Sequence, residues 1–119
     1  MLEHRRLRVS ERGDVLILKF VDSQLSADLS NEIGVECKAA ADREGFRKIL
    51  LDFSDVKYVC SDVIAKLVIL NKTVREKGGR LKLCGICPYI REILVITKLD
   101  TIMDIAANEA DALAAFDET

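Results

Sequence analysis

Short apolar runs alternate along the chain with longer stretches in which apolar residues recur at helical spacing. Residues 14–20 are too few and too rich in branched apolar side chains for a helix, so they predict a well-buried strand. A polar, loosely alternating segment precedes them. Gly13 lies in the turn between the two, which predicts an opening β-hairpin. The strands predicted in this way are residues 2–10, 14–20, 48–53, 80–84 and 102–105.

Apolar residues recur every three or four positions in four other stretches. The strongest pattern covers residues 61–77 and closes at Gly78-Gly79. Ser26 or Asp28 can cap the start of the first pattern, which Gly45 ends. The helices predicted in this way are residues 26–44, residues 61–77, a segment beginning at Pro88, and residues 108–116.

The predicted order of elements is β-β-α-β-α-β-α-β-α. Strands that alternate with helices favour a mainly parallel sheet with helices packed on it. No linker, internal repeat or low-complexity tract interrupts the pattern. We therefore predict one α/β domain over residues 1–119, with a mixed, mainly parallel sheet of four or five strands and about four helices.

Composition and charge narrow the function. The formal net charge is −2 and no lysine- or arginine-rich block stands out, so a nucleic-acid surface is not expected. No apolar run approaches the roughly 18–20 residues of a membrane-spanning helix, and the N-terminus lacks the apolar core of a signal peptide. We therefore expect a cytoplasmic protein with reduced cysteines and without nucleic-acid or membrane partners.

The cysteines raise one redox question, at the Cys84-x-x-Cys87 pair between a strand end and a helix start. This arrangement lowers the pKa of a thiol in thioredoxin-like enzymes. Against it, Pro88 is the only proline, whereas that fold keeps a separate cis-proline loop, and the pair lies late in the chain. Cys84 is therefore predicted as a buried strand-end residue and Cys87 as a capping residue, with thiol–disulfide chemistry as the alternative. Cys37 and Cys60 lie alone on predicted apolar faces, so no zinc site is expected.

Other catalytic signatures are missing from the sequence. The single histidine, His4, lies near the terminus. The chain has neither a G-x-S-x-G elbow nor a glycine-rich loop for phosphates. No enzyme activity, cofactor or metal is expected.

Two interpretations compete at the start of the 61–77 helix. Serine at the N-cap and aspartate in the first turn satisfy free backbone N–H groups and the helix dipole, a stabilisation of roughly 1 kcal/mol. Strand ends and helix starts are also where α/β sheets place binding sites. The residue types of Ser61 and Asp62 alone leave both interpretations open.

The order of elements and several motifs resemble the STAS domain, the fold of bacterial anti-sigma factor antagonists. The stretch that carries most of the resemblance is ILLDFSDVKYVCSDVIAKLVILNKTVREKGGRLKLCGICPYIREILVITKLDTIM. The family pattern has a strand ending in Leu-Asp-Leu, Asp-Ser-Ser-Gly at the start of a long helix, a Gly-Gly turn, a Ser-Pro helix, and Leu-x-x-hydrophobic before the last strand. Asp52, Gly78-Gly79, Pro88 and Leu99 fall at matching places, and the resemblance covers residues 12–116.

The resemblance implies a non-catalytic domain that docks on a kinase doubling as an anti-sigma factor. Phosphorylation of the second motif serine releases the family member, because phosphate adds about −1.5 to −2 of charge at the interface, and a phosphatase restores binding. In this chain the leading aspartate of the motif falls on Cys60, the first serine on Ser61, the phosphorylated serine on Asp62 and the glycine on Val63. Asp62 carries a fixed charge of −1 and lacks the three oxygens of a phosphate, so it is at best a partial mimic of the phosphorylated serine and is not a substrate for a serine kinase.

We therefore expect a non-switching STAS domain that binds a partner constitutively or belongs to a larger assembly. The implied partner is an anti-sigma factor or serine kinase of the histidine-kinase-like ATPase type, and no cofactor is implied. The predicted partner-binding residues are Ser61, Asp62, Lys66, Asp22, Ser23 and Gln24. Two weaker readings stay open, with Ser61 as the phospho-acceptor or with the site shifted by one residue. A small-ligand-binding STAS module is a further alternative, for which a basic or glycine-lined pocket is expected.

Overall fold

Seven strands and four helices alternate through residues 6–43 and 45–117, the part of the chain that the computed structural model describes. The strands are β1 Leu7–Arg12, β2 Val15–Phe20, β3 Gln24–Leu25, β4 Lys48–Asp52, β5 Tyr58–Val59, β6 Arg80–Cys84 and β7 Asp104–Ala106. The helices are α1 Ser30–Ala41, α2 Ser61–Glu76, α3 Pro88–Ile96 and α4 Glu109–Asp117. Short 3-10 helices cover Ala27–Leu29 and Leu99–Thr101.

Five strands form one mixed sheet in the order β1-β2-β4-β6-β7. The β1–β2 hairpin is antiparallel, and every other neighbouring pair in this sheet is parallel. The hairpin turn contains Gly13, whose φ of +60° is a conformation that glycine adopts without strain. The predicted α/β class, opening hairpin and mainly parallel sheet are confirmed.

Side chains that alternate along the strands divide the core between the two faces of the sheet. On one face, strand residues such as Leu18, Leu51 and Leu83 pack under α1, α2 and α3. On the other face, α4 alone covers the sheet, with Phe116 fully buried against Leu50 and its neighbours. The paired starts of α1 and α2 therefore lie together on the three-helix face. No helix in the described residues is long and apolar enough to cross a membrane.

One part of the fold was not predicted. The two-residue strands β3 and β5 form a separate parallel pair, with Gln24 opposite Tyr58 and Leu25 opposite Val59. Two residues carry no periodicity, so the sequence gives no signal for them. The pair is extended by the Cys60 N–H, which donates to the Leu25 carbonyl at 3.0 Å. It delivers the chain directly to the first residue of α2.

Several element boundaries differ from the prediction. The first strand extends to Arg12 rather than ending at Ser10, while residues 2–5, including His4, lie outside the described residues. The first helical segment begins as a 3-10 turn and its α-helix ends at Ala41; Glu44 also lies outside the described residues. The last strand starts at Asp104 rather than 102, because the 3-10 turn holds the Met103 N–H on the Leu99 carbonyl at 2.9 Å.

Candidate functional site

Helix α2 begins at Ser61, one residue earlier than it would if Ser61 were the N-cap. Cys60 occupies the N-cap position with extended backbone angles, φ −85° and ψ 164°, so Ser61 is already the first helical residue and Asp62 the second. No side chain caps the free N–H groups of this helix start. Of the two interpretations of this helix start, the one with Ser61 as the capping residue is therefore wrong. Its side chain is exposed instead.

Asp62 bonds to another helix rather than to its own backbone. The hydroxyl of Ser30, the first residue of α1, donates a short hydrogen bond to the Asp62 carboxylate. Lys66, one turn further along α2, holds its ammonium 3.5 Å from the same carboxylate oxygen. The Ser30 hydrogen bond, followed by the charge of Lys66, lowers the pKa of Asp62. Asp62 is therefore ionised at neutral pH. Its side chain is 62% exposed, so the charge is accessible from solvent.

Lys66 completes a polar cluster between the starts of α1 and α2, which we call the helix-start cluster (Ser30, Asn31, Asp62 and Lys66). Its Nζ donates to Ser30 Oγ at 2.7 Å and to Asn31 Oδ1 at 3.1 Å. The aliphatic stem of Lys66 crosses α1 at Gly34, where an added Cβ would lie 2.9 Å from Lys66 Cδ. Glycine at this helical position therefore leaves room for the lysine stem. The sequence singled out Lys66 but gave no signal for Ser30 or Asn31.

The predicted loop residues 22–24 divide between two environments. Gln24 pairs with Tyr58 in the β3–β5 pair, and the Ser23 carbonyl accepts the Lys57 N–H at 2.7 Å, so both adjoin the approach to α2. Asp22 instead lies 3.1 Å from the Arg6 guanidinium, which also bonds Glu32 in α1. Asp22 thus belongs to a second charged cluster, centred on Arg6.

Helix α3 starts close to the same edge of the sheet. Cys87, the residue before it, places its Sγ 3.9 Å from the Lys57 carbonyl oxygen, just ahead of β5. The two tyrosines of the chain flank this place, Tyr58 in β5 and Tyr89 in the first turn of α3, and both are exposed. Exposed aromatic side chains beside a helix start are candidate anchors for a protein partner. Sequence reasoning missed them, because exposure at these positions depends on the packing of α3.

The cysteine pair does not have the features of a redox site. Cys84 is buried at the end of β6, and burial, with smaller contributions from Asp52 and Glu109, raises its pKa to about 12. A thioredoxin-type thiol needs the opposite shift. The predicted positions are confirmed: Cys84 is the buried strand-end residue and Cys87 is the residue before α3. Cys87 makes no capping hydrogen bond through its side chain.

Residues 6–43 and 45–117 also bear on a metal site and on a small-ligand site. No group of three or more histidine, cysteine or acidic residues there could hold a metal ion. A concavity at the opposite end of the sheet is lined by basic residues and includes Gly45. Three of its cations already pair with carboxylates: Arg43 with Glu11, Lys48 with Asp14, and Lys77 with Asp42. Arg47 is the one cation of this concavity that has no ion pair with a described residue, so one uncompensated positive charge remains there.

Comparison with known proteins assigns this fold to a known family. A family model described as the STAS domain matches residues 6–112. The chain belongs to the STAS domain family. BtrV of Bordetella bronchiseptica, whose name provisionally describes an anti-sigma factor antagonist, is 25% identical over 106 residues. The aligned part covers 89% of this STAS domain and 90% of BtrV.

Solved structures agree with the family assignment. An anti-sigma-factor antagonist (STAS) domain protein from Planctomyces limnophilus is 28% identical and superposes with a TM-score of 0.82, covering 92% of this chain and 95% of that protein. SpoIIAA of Bacillus is 14% identical and shares the fold. Its unphosphorylated form has a TM-score of 0.77, with 95% and 97% of the two chains covered. Its phosphorylated form has a TM-score of 0.69, with 92% and 98% covered.

Proposed function

We propose that this STAS domain is a non-catalytic, cytoplasmic regulator that binds an anti-sigma factor of the histidine-kinase-like ATPase type. The partner surface is the start of α2, with the β3–β5 pair and the start of α3 beside it. The feature that carries the proposal is Asp62, which the resemblance to the family aligns with the phosphorylated serine. It is exposed, ionised and bonded to Ser30 and Lys66.

The charge of Asp62 is balanced inside the helix-start cluster. Asp62 contributes one negative charge and Lys66 one positive charge at 3.5 Å, so the pair is neutral overall. A phosphoserine at this position would carry about −1.5 to −2 and leave excess negative charge. On charge alone, Asp62 leaves the cluster neutral, between the +1 that a serine beside Lys66 would give and the about −0.5 to −1 that a phosphoserine would give. Because this charge is fixed, it supports partner binding without a phosphorylation switch at this position.

The surrounding surface has the chemistry of a protein interface. Ser61 is exposed at the first helical position, and its hydroxyl forms no hydrogen bond with another described residue. Tyr58 and Tyr89 supply exposed aromatic area on the same edge of the sheet. Interfaces concentrate their binding energy in a few aromatic and arginine anchors surrounded by polar side chains. A partner that covers Ser61 and both tyrosines would use this arrangement.

Calorimetric titration with each histidine-kinase-like anti-sigma ATPase of the same organism tests the function. We expect one of them to bind the wild-type chain. Ser61→Glu, which adds charge at the centre of the proposed surface, should weaken that binding at least about tenfold. Ser10→Glu, at an exposed serine of β1, is the matched control and should leave it unchanged. If no ATPase binds, the function is wrong; if Ser61→Glu behaves like Ser10→Glu, the site is wrong.

The proposed loss of the switch has its own test. The bound ATPase is supplied with Mg-ATP, and the intact mass of the STAS domain is measured. We expect wild type to gain no phosphate and Asp62→Ser to gain one and lose affinity. Phosphate found on Ser61 of the wild-type chain would instead support Ser61 as the acceptor. An Asp62→Ser chain that stays unmodified would mean that this position is not the switch position.

A further inference from the structure

An apolar groove runs between α1 and α2, on the outer side of the helix pair. It encloses about 330 Å³ and is half-open to solvent. Helix α1 follows β3 and helix α2 follows β5. Because β3 and β5 are parallel, the two helices run in the same direction, and their starts meet at the helix-start cluster. The α1 helix is about 18 Å long, and lining residues extend from Asn31 at its start to Asp42 at its end. The groove floor consists of Ile33, Cys37, Ala41, Leu67 and Leu70.

The rims of this groove expose large apolar side chains that the fold does not use. Val35 of α1 is 59% exposed and Ile69 of α2 is 64% exposed, and both line the groove. Gly34, the residue before Val35, keeps α1 narrow where the Lys66 stem crosses. A partner that covers both side chains would remove their apolar surface from water, which favours association.

We propose that the groove binds an amphipathic α-helix of a partner protein that carries acidic residues along one flank. This inference stands on α1 and α2 alone and does not depend on the anti-sigma function. An apolar cavity of roughly 150 Å³ accepts a benzene-sized group, so the groove has room for about two leucine or phenylalanine side chains. Such side chains, spaced one helical turn apart, are how an amphipathic helix fills a groove.

The openness of the groove favours a helix over a small lipid-like ligand. Small-molecule sites bury about 70–90% of their ligand in a concave pocket, whereas this groove is open on one side. An aliphatic chain lying on the floor would leave Val35 and Ile69 in water. A helix resting on the groove contacts both rims while two of its side chains enter the floor.

The charges on the groove favour an acidic flank on the partner. Lys66 pairs with Asp62 at one end, and Asp42 pairs with Lys77 at the other. Lys38 lines the groove between these ends, is exposed, and forms no ion pair with any residue of the described ranges. The uncompensated charge beside the groove is therefore positive, and a carboxylate on the partner helix would pair with it.

Two synthetic peptides of about 15 residues, roughly four helical turns, test this proposal. Both carry leucines at the same helical spacing, one with flanking glutamates and the other with flanking lysines. Each is titrated into the ¹⁵N-labelled chain, and amide chemical shifts are followed. We expect the acidic peptide to bind more tightly and to perturb the amides of Gly34, Lys38 and Ile69. Lys38→Glu should reverse the preference between the two peptides.

A matched pair of surface variants separates the groove from general stickiness. Ile69→Asp should weaken binding of the acidic peptide at least about tenfold. Ile96→Asp, at a residue of α3 that is 72% exposed and outside the groove, should leave it unchanged. Absence of binding by either peptide, equal effects of the two variants, or shifts confined to other surfaces would each overturn the proposal.

The same samples distinguish the partner helix from two other occupants of the groove. If dodecanoate shifts the amides of Gly34, Lys38 and Ile69 to saturation and the acidic peptide does not, the groove is a lipid site and the helix proposal is overturned. Sedimentation that reveals a dimer of the wild-type chain, lost in Ile69→Asp, would show that the groove is occupied by a second copy. Dodecanoate without effect and a monomeric chain would support the partner helix when the acidic peptide binds.

Discussion

Replacing Ser30 by alanine removes the contact that joins α1 to the start of α2. Ser30 is only 1% exposed, and its hydroxyl donates to Asp62 and accepts from Lys66 at 2.7 Å. A hydrogen bond to a charged group contributes about 1.5–3 kcal/mol net. Alanine offsets about 0.5 kcal/mol of the loss through its higher helix propensity. Because the carboxylate of Asp62 can turn to water, we expect Ser30→Ala to lower the free energy of unfolding by about 1–2 kcal/mol at neutral pH.

The effect of Ser30→Ala should become smaller in acid. The pKa of Asp62 is lowered in the folded state, first by the Ser30 hydrogen bond and then by Lys66. A carboxyl with a lowered pKa adds stability above its unfolded pKa of 3.8 and loses that stability as pH falls through the folded pKa. At pH 7 the free energy of unfolding of wild type exceeds that of Ser30→Ala by this contribution. Part of the difference disappears near about pH 3, where Asp62 begins to take up a proton.

Urea unfolding of wild type and Ser30→Ala at both pH values measures these differences. Ser10→Ala, at an exposed serine of β1, is the control and should change the free energy of unfolding by less than about 0.5 kcal/mol. The reasoning is refuted if Ser30→Ala is no more destabilising than Ser10→Ala at pH 7. It is also refuted if the loss is as large in acid as at neutral pH.

Three further predictions follow from other parts of the structure. Phe116→Ala should lower the free energy of unfolding by about 3–5 kcal/mol, because this α4 side chain is fully buried against the sheet. Tyr89→Ala on the surface should have little effect, and equal losses would contradict this core. Gly34→Ala should displace the Lys66 side chain in the wild-type background and therefore stabilise the protein less there than in the Lys66→Ala background. In the Lys66→Ala background the helix propensity of alanine contributes up to about 1 kcal/mol. A double-mutant cycle that shows no coupling between the two positions would exclude the contact. Alkylation of Cys84 followed by mass spectrometry should stay slow until the pH approaches its pKa of about 12, and fast reaction at pH 8 would show a reactive thiolate.

The regular elements that pack on one another were largely predictable from periodicity. The predicted helix 61–77 is observed as Ser61–Glu76, because its apolar stripe is long and glycines end it. The predicted strand 80–84 is observed at the same residues. The strands β3 and β5 were missed because two residues cannot show a period, and they exist only through pairing across a long stretch of chain.

The candidate site was likewise predictable only in part. The resemblance to the STAS family pointed to Ser61 and Asp62, and the proximity expected from that fold pointed to Lys66. The capping role given to Ser61 was wrong, because a single-residue difference in the helix start puts Cys60 at the N-cap. Ser30, which holds Asp62, was not predicted at all. Side chains 32 positions apart meet only when α1 packs beside α2.

The sequence by itself determined the α/β class, the family resemblance, and the carboxylate that this resemblance aligns with the family's switchable serine. These follow from residue identity and local spacing, which need no knowledge of distant contacts. Only the tertiary structure decided that Asp62 is balanced by Lys66, that the pKa of Cys84 is raised by its surroundings, and that α1 and α2 leave an open apolar groove. Charge balance, burial and groove shape all depend on which side chains from separate elements come to within a few ångströms of one another.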